Sequence, residues 1–405
     1  MENAKGAIQI KESSASVTGA ELSSFSPVTI GFDGKRAANN STGLGNYSRW
    51  LIGTLARTFP GQNYLVYTPK RSSGPAIDRF LSIPGVALKT PAKKSLFWRS
   101  FGVIRDLLRD RVQLFHGLSH EIPFAISKTR IRSVVTIHDL IFLKFPQWYK
   151  PADRLIYKLK SQYACRQADQ IIAISERTKQ DIVQHYGIDP SRIEVVYQSC
   201  DPAFRNKLPE NTLQDIRSRY ALPAGYLLNV GTIEVRKNLL LLIEALPHLS
   251  EPALKLVVVG KKTPYFARVQ AAIDRLQLEN RVIFLENVPF ADLPGIYQCA
   301  KIFVYPSRYE GFGIPLLEAL HSGVPVVAAT GSCLEEAGGP GGLYVSPDDA
   351  PALAGAINRI LTDHALRAEM IRSGTGHLQQ FDDALLAGQL MKCYLKLLNH
   401  VETGN

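Results

Sequence analysis

Short runs of apolar, β-branched residues alternate with longer amphipathic stretches along most of the chain. Runs of this kind predict buried strands, and the stretches between them have the spacing of helices. The alternation occurs in two series, which predicts two doubly wound α/β domains. The runs of the first half are 28–33, 64–69, 112–117, 133–139, 170–175 and 193–198. Those of the second half are 226–231, 254–260, 282–287, 301–306, 324–329 and 342–347.

The two series also predict where the domains begin and end. Residues 1–27 contain no apolar stretch typical of a signal peptide, and we expect a flexible tail there. The N-terminal domain is predicted at 28–205 and the C-terminal domain at 206–380. A polar, proline-containing stretch near 201–225 lacks clear periodicity and is the predicted linker. The final segment, 381–405, contains a helix that we expect to pack back on the N-terminal domain.

Length and composition agree with this organisation. The 405 residues exceed the size at which one hydrophobic core keeps growing. The five cysteines are far apart and show no CxxC spacing, so we expect reduced thiols in a cytoplasmic protein. No apolar run has the length of a membrane span.

The net charge of +11 is concentrated in one segment. Residues 89–160 contain 15 Lys and Arg but only 5 Asp and Glu, which indicates a surface for anionic partners. Within it, residues 93–110 interleave basic side chains with aromatic and aliphatic ones. This pattern fits a basic helix on an anionic membrane surface, at the inner face of the plasma membrane. It fits equally a core-packed helix with a solvated basic face.

The most informative motif is EGFGIPLLE, from Glu310 to Glu318. It follows the apolar run 301–306, and Pro315 suits the first turn of a helix. In a parallel sheet, such a loop lies at the carboxyl end of a strand, where ligands bind. Backbone N–H groups near Gly313 and Ile314 would then suit a diphosphate. An ordinary strand-to-helix turn with solvated glutamates is the alternative interpretation.

A second candidate element for phosphate lies just after the first strand of the second series. That strand ends at Gly231, and Arg236 and Lys237 follow before the next helix. Two cations there could neutralise a pyrophosphate leaving group. Their position at the same predicted sheet edge as EGFGIPLLE favours this hypothesis over two solvated surface charges.

The first half offers candidate residues at two strand ends. His138 and Asp139 follow an apolar strand, where a histidine could donate to a sugar hydroxyl, although a purely structural histidine is the commoner case. Gly43 and Gly45 lie in the loop after the first strand. Because Ser48 occupies the third position of GxGxxG, a dinucleotide site is not supported. We expect these glycines to let an acceptor approach the backbone.

Other chemistries lack a motif. The chain has no HExxH sequence and no histidine spacing typical of a metal site, and it has no GxSxG nucleophile elbow.

Together, TGLGNY, VVTIHDL, ADQIIAISERTKQDI, VGTIEVRKN and EGFGIPLLEAL resemble the motif series of the retaining glycosyltransferases of family four. The motifs occur in the family's order over nearly the whole chain after residue 28. They are most similar to the mannosyltransferase-like branch of bacterial lipopolysaccharide and exopolysaccharide synthesis. The resemblance implies the GT-B fold, in which two Rossmann-like domains face each other across a cleft.

The resemblance also implies a role for each matched residue. Glu310 and His138 would contact the donor sugar, and Arg236 and Lys237 the diphosphate. Glu318 would bind the ribose. The remaining matched positions comprise a donor-side group, Gly231, Gly311, Phe312, Gly313 and Ile314, and an acceptor-side group, Gly43, Gly45 and Asp139.

The activity so implied is transfer of a hexose from a nucleotide-diphosphate sugar to a hydroxyl of a glycan or lipid-linked acceptor, with retention. GDP-mannose is the expected donor, and neither a metal nor a cofactor is expected. A GT-B epimerase or sugar phosphorylase would differ in needing no acceptor or in needing inorganic phosphate. A nucleic-acid-binding protein would explain segment 89–160 but not EGFGIPLLE, so no nucleic-acid partner is expected.

Overall fold

The computed structural model describes residues 27–40, 43–92 and 97–402. Residues 1–26 of the predicted tail, Ser41 and Thr42 of the glycine loop, and residues 93–96 of the predicted basic helix lie outside the described residues.

Seven parallel strands form the sheet of the N-terminal domain, in the order β3-β2-β1-β4-β5-β6-β7. Helices on both faces bury the central strands, which explains their continuous apolar sequences. The strands are β1 (Thr29–Asp33), β2 (Asn63–Tyr67), β3 (Val86–Lys89), β4 (Leu114–Gly117), β5 (Arg132–Ile137), β6 (Gln170–Ala173) and β7 (Ile193–Val195).

Strand β3 was not expected from the sequence. It is a four-residue edge strand whose positions are half-buried or exposed, so its sequence carries little apolar signal.

Six parallel strands form the sheet of the C-terminal domain, in the order β10-β9-β8-β11-β12-β13. Each matches an expected apolar run. The strands are β8 (Leu227–Val230), β9 (Leu256–Val259), β10 (Val282–Leu285), β11 (Ile302–Tyr305), β12 (Val326–Ala329) and β13 (Leu343–Val345). The prediction of two Rossmann-like domains is therefore confirmed.

Helices connect the strands in both domains. In the first half they are α1 (Lys35–Asn39), α2 (Gly43–Thr58), α3 (Pro75–Leu81), α4 (Val103–Arg109), α5 (Ile141–Lys144), α6 (Pro151–Gln167) and α7 (Glu176–Tyr186). In the second half they are α8 (Glu210–Arg219), α9 (Leu239–Ala245), α10 (Phe266–Arg275), α11 (Leu293–Gln298), α12 (Ile314–His321), α13 (Leu334–Gly338), α14 (Ala350–Thr362), α15 (His364–His377) and α16 (Asp383–Glu402). Within the described ranges, none is long and apolar enough to cross a membrane.

The predicted linker contains helix α8. Only one of its side chains, Ile216, is buried, so the apolar periodicity that identifies a helix is missing from its sequence. The helix packs against α11 of the C-terminal domain.

Helix α16 lies on the N-terminal domain, against α2. The Trp50 indole N–H donates to Asp383 Oδ1 at 2.8 Å, and the Tyr394 hydroxyl lies 2.5 Å from His116 Nδ1. One hydrophobic cluster contains side chains from both domains and from α16. The exact domain boundaries stay a prediction.

The strand order reverses at the first strand of each sheet. Strand β1 lies between β2 and β4, and β8 lies between β9 and β11. At such a reversal the following connections leave in opposite directions, and a crevice opens outside the carboxyl ends of the strands. In the C-terminal domain, this crevice is bordered by the loops after β8 and β11, which carry the candidate phosphate and sugar residues.

Candidate active site

The centre of the site is the carboxylate of Glu310, in the loop after β11. Oε1 accepts hydrogen bonds from Lys237 Nζ at 2.6 Å and from Ser307 Oγ at 2.6 Å. It also accepts from the Tyr305 hydroxyl at 3.1 Å, while Oε2 accepts from Arg236 Nη1 at 2.5 Å. The structure therefore brings together three residues predicted from two distant motifs.

The partners of Glu310 keep its carboxylate ionised. Burial alone would raise the pKa of its carboxyl, but Lys237 and Arg236 outweigh this effect and lower the pKa to about 2. Only 12% of the side chain is exposed. Glu310 is therefore not the solvated glutamate of the alternative interpretation, because the cations and hydroxyls around it take the place of water.

The two cations are positioned by a short 3-10 helix, Val235–Lys237, after β8. Asn238 ends it in the left-handed region, at φ 58°, and its side-chain amide donates to the carbonyls of Pro306 and Pro347. The Arg236 carbonyl accepts from the backbone N–H of Arg308 at 2.9 Å. These bonds join the loops after β8 and β11, so the cations and Glu310 share one rigid frame.

Glycine is needed at two positions of the motif, for a different structural reason at each. A Cβ atom on Gly311 would lie 2.2 Å from the carbonyl oxygen of His138 in the other domain, so only glycine permits this approach. Gly313 has φ 142°, which other residues rarely adopt, and it immediately precedes α12. No side chain within the described ranges caps this helix, which begins at Ile314. Phe312 is buried and stacks on Tyr197.

Glu318 has a different environment from Glu310. It lies on α12, and its Oε2 accepts from the Tyr297 hydroxyl at 2.8 Å. Burial raises the pKa of its carboxyl to about 7. The two carboxylates of the motif therefore differ in charge behaviour, as two separate roles require.

His138 directly follows β5, and its backbone carbonyl lies beside Gly311 of the C-terminal domain. Its Nε2 is 2.9 Å from the Leu118 carbonyl, which can only accept, so Nε2 carries the proton and Nδ1 is left as an acceptor. Burial lowers the pKa of the ring to about 3, and the imidazole is neutral. The next residue, Asp139, has its pKa raised by burial, and the charges of Arg236 and Glu310 both act on it.

The remaining predicted glycines have different surroundings. A Cβ atom on Gly45 would lie 1.8 Å from the carbonyl of Asn40, so packing within the N-terminal domain accounts for this glycine. Gly43 begins α2, and apart from its neighbours along the chain no atom of the described residues lies within 4 Å of a Cβ atom placed on it. Gly231 has φ 148° and lies beside the aliphatic part of Lys237.

Direct hydrogen bonds join the two domains beside the site. Ser175 Oγ donates to the Gly311 carbonyl at 2.8 Å. The Glu336 carboxylate accepts from the backbone N–H groups of Glu176 and Arg177, the first residues of α7, at 2.7 and 2.9 Å. The domains are thus in contact at the loop that carries Glu310.

Several of these residues were missed in the sequence. Tyr305 was placed only in the predicted strand 301–306 and Ser307 was not singled out, although both lie within five positions of Glu310. Ser175 lies in the motif ADQIIAISERTKQDI but was given no role, and Glu336 lies in none of the motifs named above. Their partners lie more than 130 positions away, and nothing in local spacing reports such a pairing.

The basic segment has both buried and exposed aromatic and aliphatic side chains. Its described part is a π-helical turn, Trp98–Gly102, followed by α4. Trp98 and Leu107 are buried, whereas Phe97 and Phe101 are exposed. Arg99 is not a solvated cation, because it forms ion pairs with Asp33 and Glu121.

A second exposed apolar surface lies on α6, whose first ten residues belong to segment 89–160. Leu155, Ile156 and Leu159 are all about half exposed or more, with fractions of 56%, 49% and 58%. Lys150 and Lys158 are exposed on the same stretch of chain.

No group of three or more His, Cys, Asp or Glu residues in the described part of the chain could hold a metal ion.

Two family models match the chain, one on each domain. The model described as Glycosyltransferase Family 4 matches residues 42–204, and the one described as Glycosyl transferases group 1 matches residues 216–377.

Relatives of known role match larger parts of the chain, across both domains. O-antigen chain mannosyltransferase B of Escherichia coli is 29% identical over 375 residues, which cover 88% of this chain and 96% of that protein. O-antigen chain mannosyltransferase RfbU of Salmonella typhimurium is 28% identical over 67% of this chain and 72% of that protein.

Solved structures show the same architecture. Anabaena Alr3699/HepE, crystallised with UDP and glucose, has a TM-score of 0.73 at 19% identity and covers 91% of this chain and 100% of that chain. The likeness confirms the GT-B fold. With a family-four domain, a group 1 domain and a mannosyltransferase-like relationship along nearly its whole length, the chain belongs to the GT-B glycosyltransferases.

Proposed function

We propose that the protein is a retaining hexosyltransferase that transfers mannose from GDP-mannose to a hydroxyl of a glycan or lipid-linked glycan in bacterial cell-surface polysaccharide synthesis. The observation that carries this proposal is the cluster of Arg236, Lys237 and Glu310 at the strand-order reversal of the C-terminal sheet. Mannose is favoured by the names of the relatives in Escherichia coli and Salmonella typhimurium.

The cluster suits cleavage of a sugar–diphosphate bond. As that bond lengthens, negative charge develops on the leaving diphosphate, and Arg236 and Lys237 can stabilise it together with the N-terminus of α12. Preorganised cations need little reorganisation during the reaction, because Glu310 already fixes their positions. No metal is required in this scheme, and we expect activity to persist with EDTA.

The N-terminal domain would supply the acceptor and a contact to the sugar. Nδ1 of neutral His138 can accept a hydrogen bond from a sugar hydroxyl. In the proposed step the acceptor oxygen bonds to the anomeric carbon on the face that the diphosphate leaves. The acceptor proton passes to a phosphate oxygen of the leaving group. Retention follows from this same-face attack, and it is supported by the resemblance to family four.

We also infer that the exposed apolar and basic surface of α6 and the π-helical turn contacts anionic lipid at the cytoplasmic face of a membrane. The support is the combination of exposed Leu155, Leu159 and Phe101 with the positive excess of segment 89–160. Such a surface would bring a lipid-linked acceptor to the cleft.

The donor is tested by thermal-shift measurements with GDP-, UDP- and dTDP-linked sugars, since a ligand of the folded state raises the melting temperature. We expect GDP-mannose to give the largest shift. Lys237→Ala should weaken binding of GDP by about tenfold or more, because one cation at the diphosphate is lost. The matched control is Lys262→Ala, whose ion pair with Glu286 is on the surface.

Three outcomes would contradict the proposal. The first is that no nucleotide sugar shifts the melting temperature. The second is that Lys237→Ala binds GDP as the wild type does. The third concerns the mechanism: a glycosyl–enzyme adduct detected by mass spectrometry would exclude direct same-face attack.

A further inference from the structure

Tyr309, the residue before Glu310, belongs to the C-terminal domain but has its side chain in the N-terminal domain. Its ring is 2% exposed. The ammonium of Lys144 lies 4.2 Å from the ring centroid, and the ring of Phe145 lies 5.4 Å away, centroid to centroid. Both residues come from the end of α5, across the domain boundary.

The hydroxyl of Tyr309 is held on two sides by α7. It accepts from Arg177 Nε at 2.7 Å and donates to Asp181 Oδ2. Arg177 and Asp181 are one helical turn apart and form an ion pair of 3.4 Å, and Asp181 is almost completely buried. The four residues Lys144, Phe145, Arg177 and Asp181 thus form a socket for a tyrosine, with a place for its ring and two partners for its hydroxyl.

The main chain of the same residue contacts the candidate active site. The Tyr309 carbonyl accepts from Arg236 Nη1 at 3.0 Å, and the same nitrogen donates to Glu310 Oε2. The side chain of Tyr309 is therefore bound to the N-terminal domain, while its backbone carbonyl helps to position Arg236, which pairs with Glu310.

We propose that Tyr309 is a positioning residue that couples contact between the two domains to the placement of Arg236 and Glu310. This inference rests on the proposed function, since it assigns a role in the transfer reaction. When Tyr309 is in its socket, the loop of Glu310 is fixed at both ends, by the bonds to the loop after β8 and by the N-terminal domain. When it leaves the socket, Arg236 and Glu310 lose one side of this support.

The proposal separates Tyr309 from the residues that bind the donor. Lys237 and Arg236 are still paired with Glu310 when the socket is empty, so they still bind the nucleotide, but without Tyr309 they are less precisely placed for transfer. Removing the hydroxyl should therefore lower turnover and leave donor affinity nearly unchanged. If Tyr309 had only a structural role, its substitution would leave turnover and donor affinity unchanged, or would lower only the stability of the fold.

The variant Tyr309→Phe keeps the ring and removes both hydroxyl bonds. We expect kcat for transfer from, or hydrolysis of, the nucleotide sugar to fall by about tenfold to a hundredfold, with KM for the donor changed by less than about twofold. Tyr309→Ala, which also empties the socket, should lose more. Asp181→Asn combined with Tyr309→Phe should lose little more than Tyr309→Phe alone, since both remove the same contact.

Hydrogen exchange provides a readout that needs no substrate. The backbone N–H groups of Glu176 and Arg177 donate across the domain boundary to Glu336. In Tyr309→Ala, looser domain contact should speed their exchange by about tenfold. The matched control is Tyr226→Phe, a buried tyrosine whose hydroxyl donates to the Ile296 carbonyl within the C-terminal domain. It should leave exchange at α7 and kcat as in the wild type.

Unchanged exchange at α7 in Tyr309→Ala would overturn the role of the socket in domain contact. Faster exchange with wild-type kcat in both variants would overturn the positioning role. If the wild type itself turns over no nucleotide sugar, the proposed function fails, and exchange at α7 still supports or overturns the domain contact on its own.

Discussion

At the residue scale, the two glutamates of EGFGIPLLE differ in their neighbours. Glu310 is surrounded by two cations and two hydroxyls, and its pKa is lowered to about 2. Glu318 has one tyrosine partner in a buried environment, and its pKa is raised to about 7. Two carboxyl groups eight positions apart thus behave differently, because that of Glu310 stays ionised and that of Glu318 titrates near neutral pH.

Glu310→Gln should lower turnover by about a hundredfold or more, because the charge that holds Lys237 and Arg236 is lost. The amide keeps the size of the side chain, so the fold should persist by circular dichroism. Steady-state transfer measures the effect. Glu286→Gln, at an exposed ion pair with Lys262, is the control and should behave as the wild type. Near-normal turnover of Glu310→Gln would remove Glu310 from the mechanism.

The raised pKa of Glu318 predicts that its contribution to the stability of the fold decreases as the pH rises. Its pKa is raised from 4.5 to about 7 in the folded state, so the folded state holds the proton more tightly than the unfolded state. The stabilisation is fully present below pH 4.5 and is lost as the pH rises through about 7.

Glu318→Gln removes this titration. Denaturant unfolding at several pH values should show that the free energy of unfolding of the variant gains on that of the wild type between about pH 4.5 and 7. Parallel curves over this range would contradict the raised pKa.

At the element scale, helices α6 and α8 are two cases in which the apolar pattern of the sequence does not show which side chains are buried. Helix α8 has one buried side chain and was hidden in the predicted linker. The first half of α6 is almost entirely exposed although it carries leucines and an isoleucine. An apolar residue on a helix is therefore no proof that the fold buries it, and α6 has an exposed apolar surface.

The double variant Leu155→Glu/Leu159→Glu should lose binding to phosphatidylglycerol vesicles. Each leucine that enters the lipid interface contributes about 1.5–3 kcal/mol, and each new carboxylate is repelled by the anionic surface. Vesicle sedimentation measures the bound fraction, with phosphatidylcholine vesicles as the uncharged comparison. Leu385→Glu, a partly exposed leucine on α16, is the matched control. Equal binding of the double variant and the wild type would exclude α6 from the membrane surface.

At the scale of the whole molecule, the two domains approach each other closely beside the candidate active site. Gly311 of the C-terminal domain lies against the His138 carbonyl of the N-terminal domain, and Ser175 bonds to the Gly311 carbonyl. Glu336 bonds to the start of α7 from the other side. The donor-side cluster lies in one domain, while His138 and Asp139 join it only through this contact.

Gly311→Ala should keep the domains apart. Its Cβ would lie 2.2 Å from the His138 carbonyl oxygen, which requires the backbones to move. We expect turnover to fall by about tenfold or more and the radius of gyration from solution X-ray scattering to increase, with each domain still folded. Gly355→Ala, on α14 with open space around it, is the control. Wild-type turnover and scattering of Gly311→Ala would show that the close approach is not needed.

The sequence by itself determined the two parallel sheets and the loops that carry the candidate site. Buried strands require continuous apolar runs, and all strands except the exposed edge strand β3 have them. The order of Arg236, Lys237 and Glu310 after two strands also follows from local pattern, since carboxyl ends of parallel strands share one sheet edge.

Only the tertiary structure decided what surrounds these residues. Glu310 is ionised and largely buried because side chains from 68 to 74 positions apart converge on one loop, as in the bonds from Lys237 to Tyr305 and from Arg236 to Glu310. The socket of Tyr309 is built from α5 and α7, and even Arg177 of α7 lies 132 positions from Tyr309 in the sequence. Hydrophobic periodicity reports which face of an element is buried, but it carries no information on which distant polar groups will meet there. That pairing depends on how the two sheets and their loops are placed against each other.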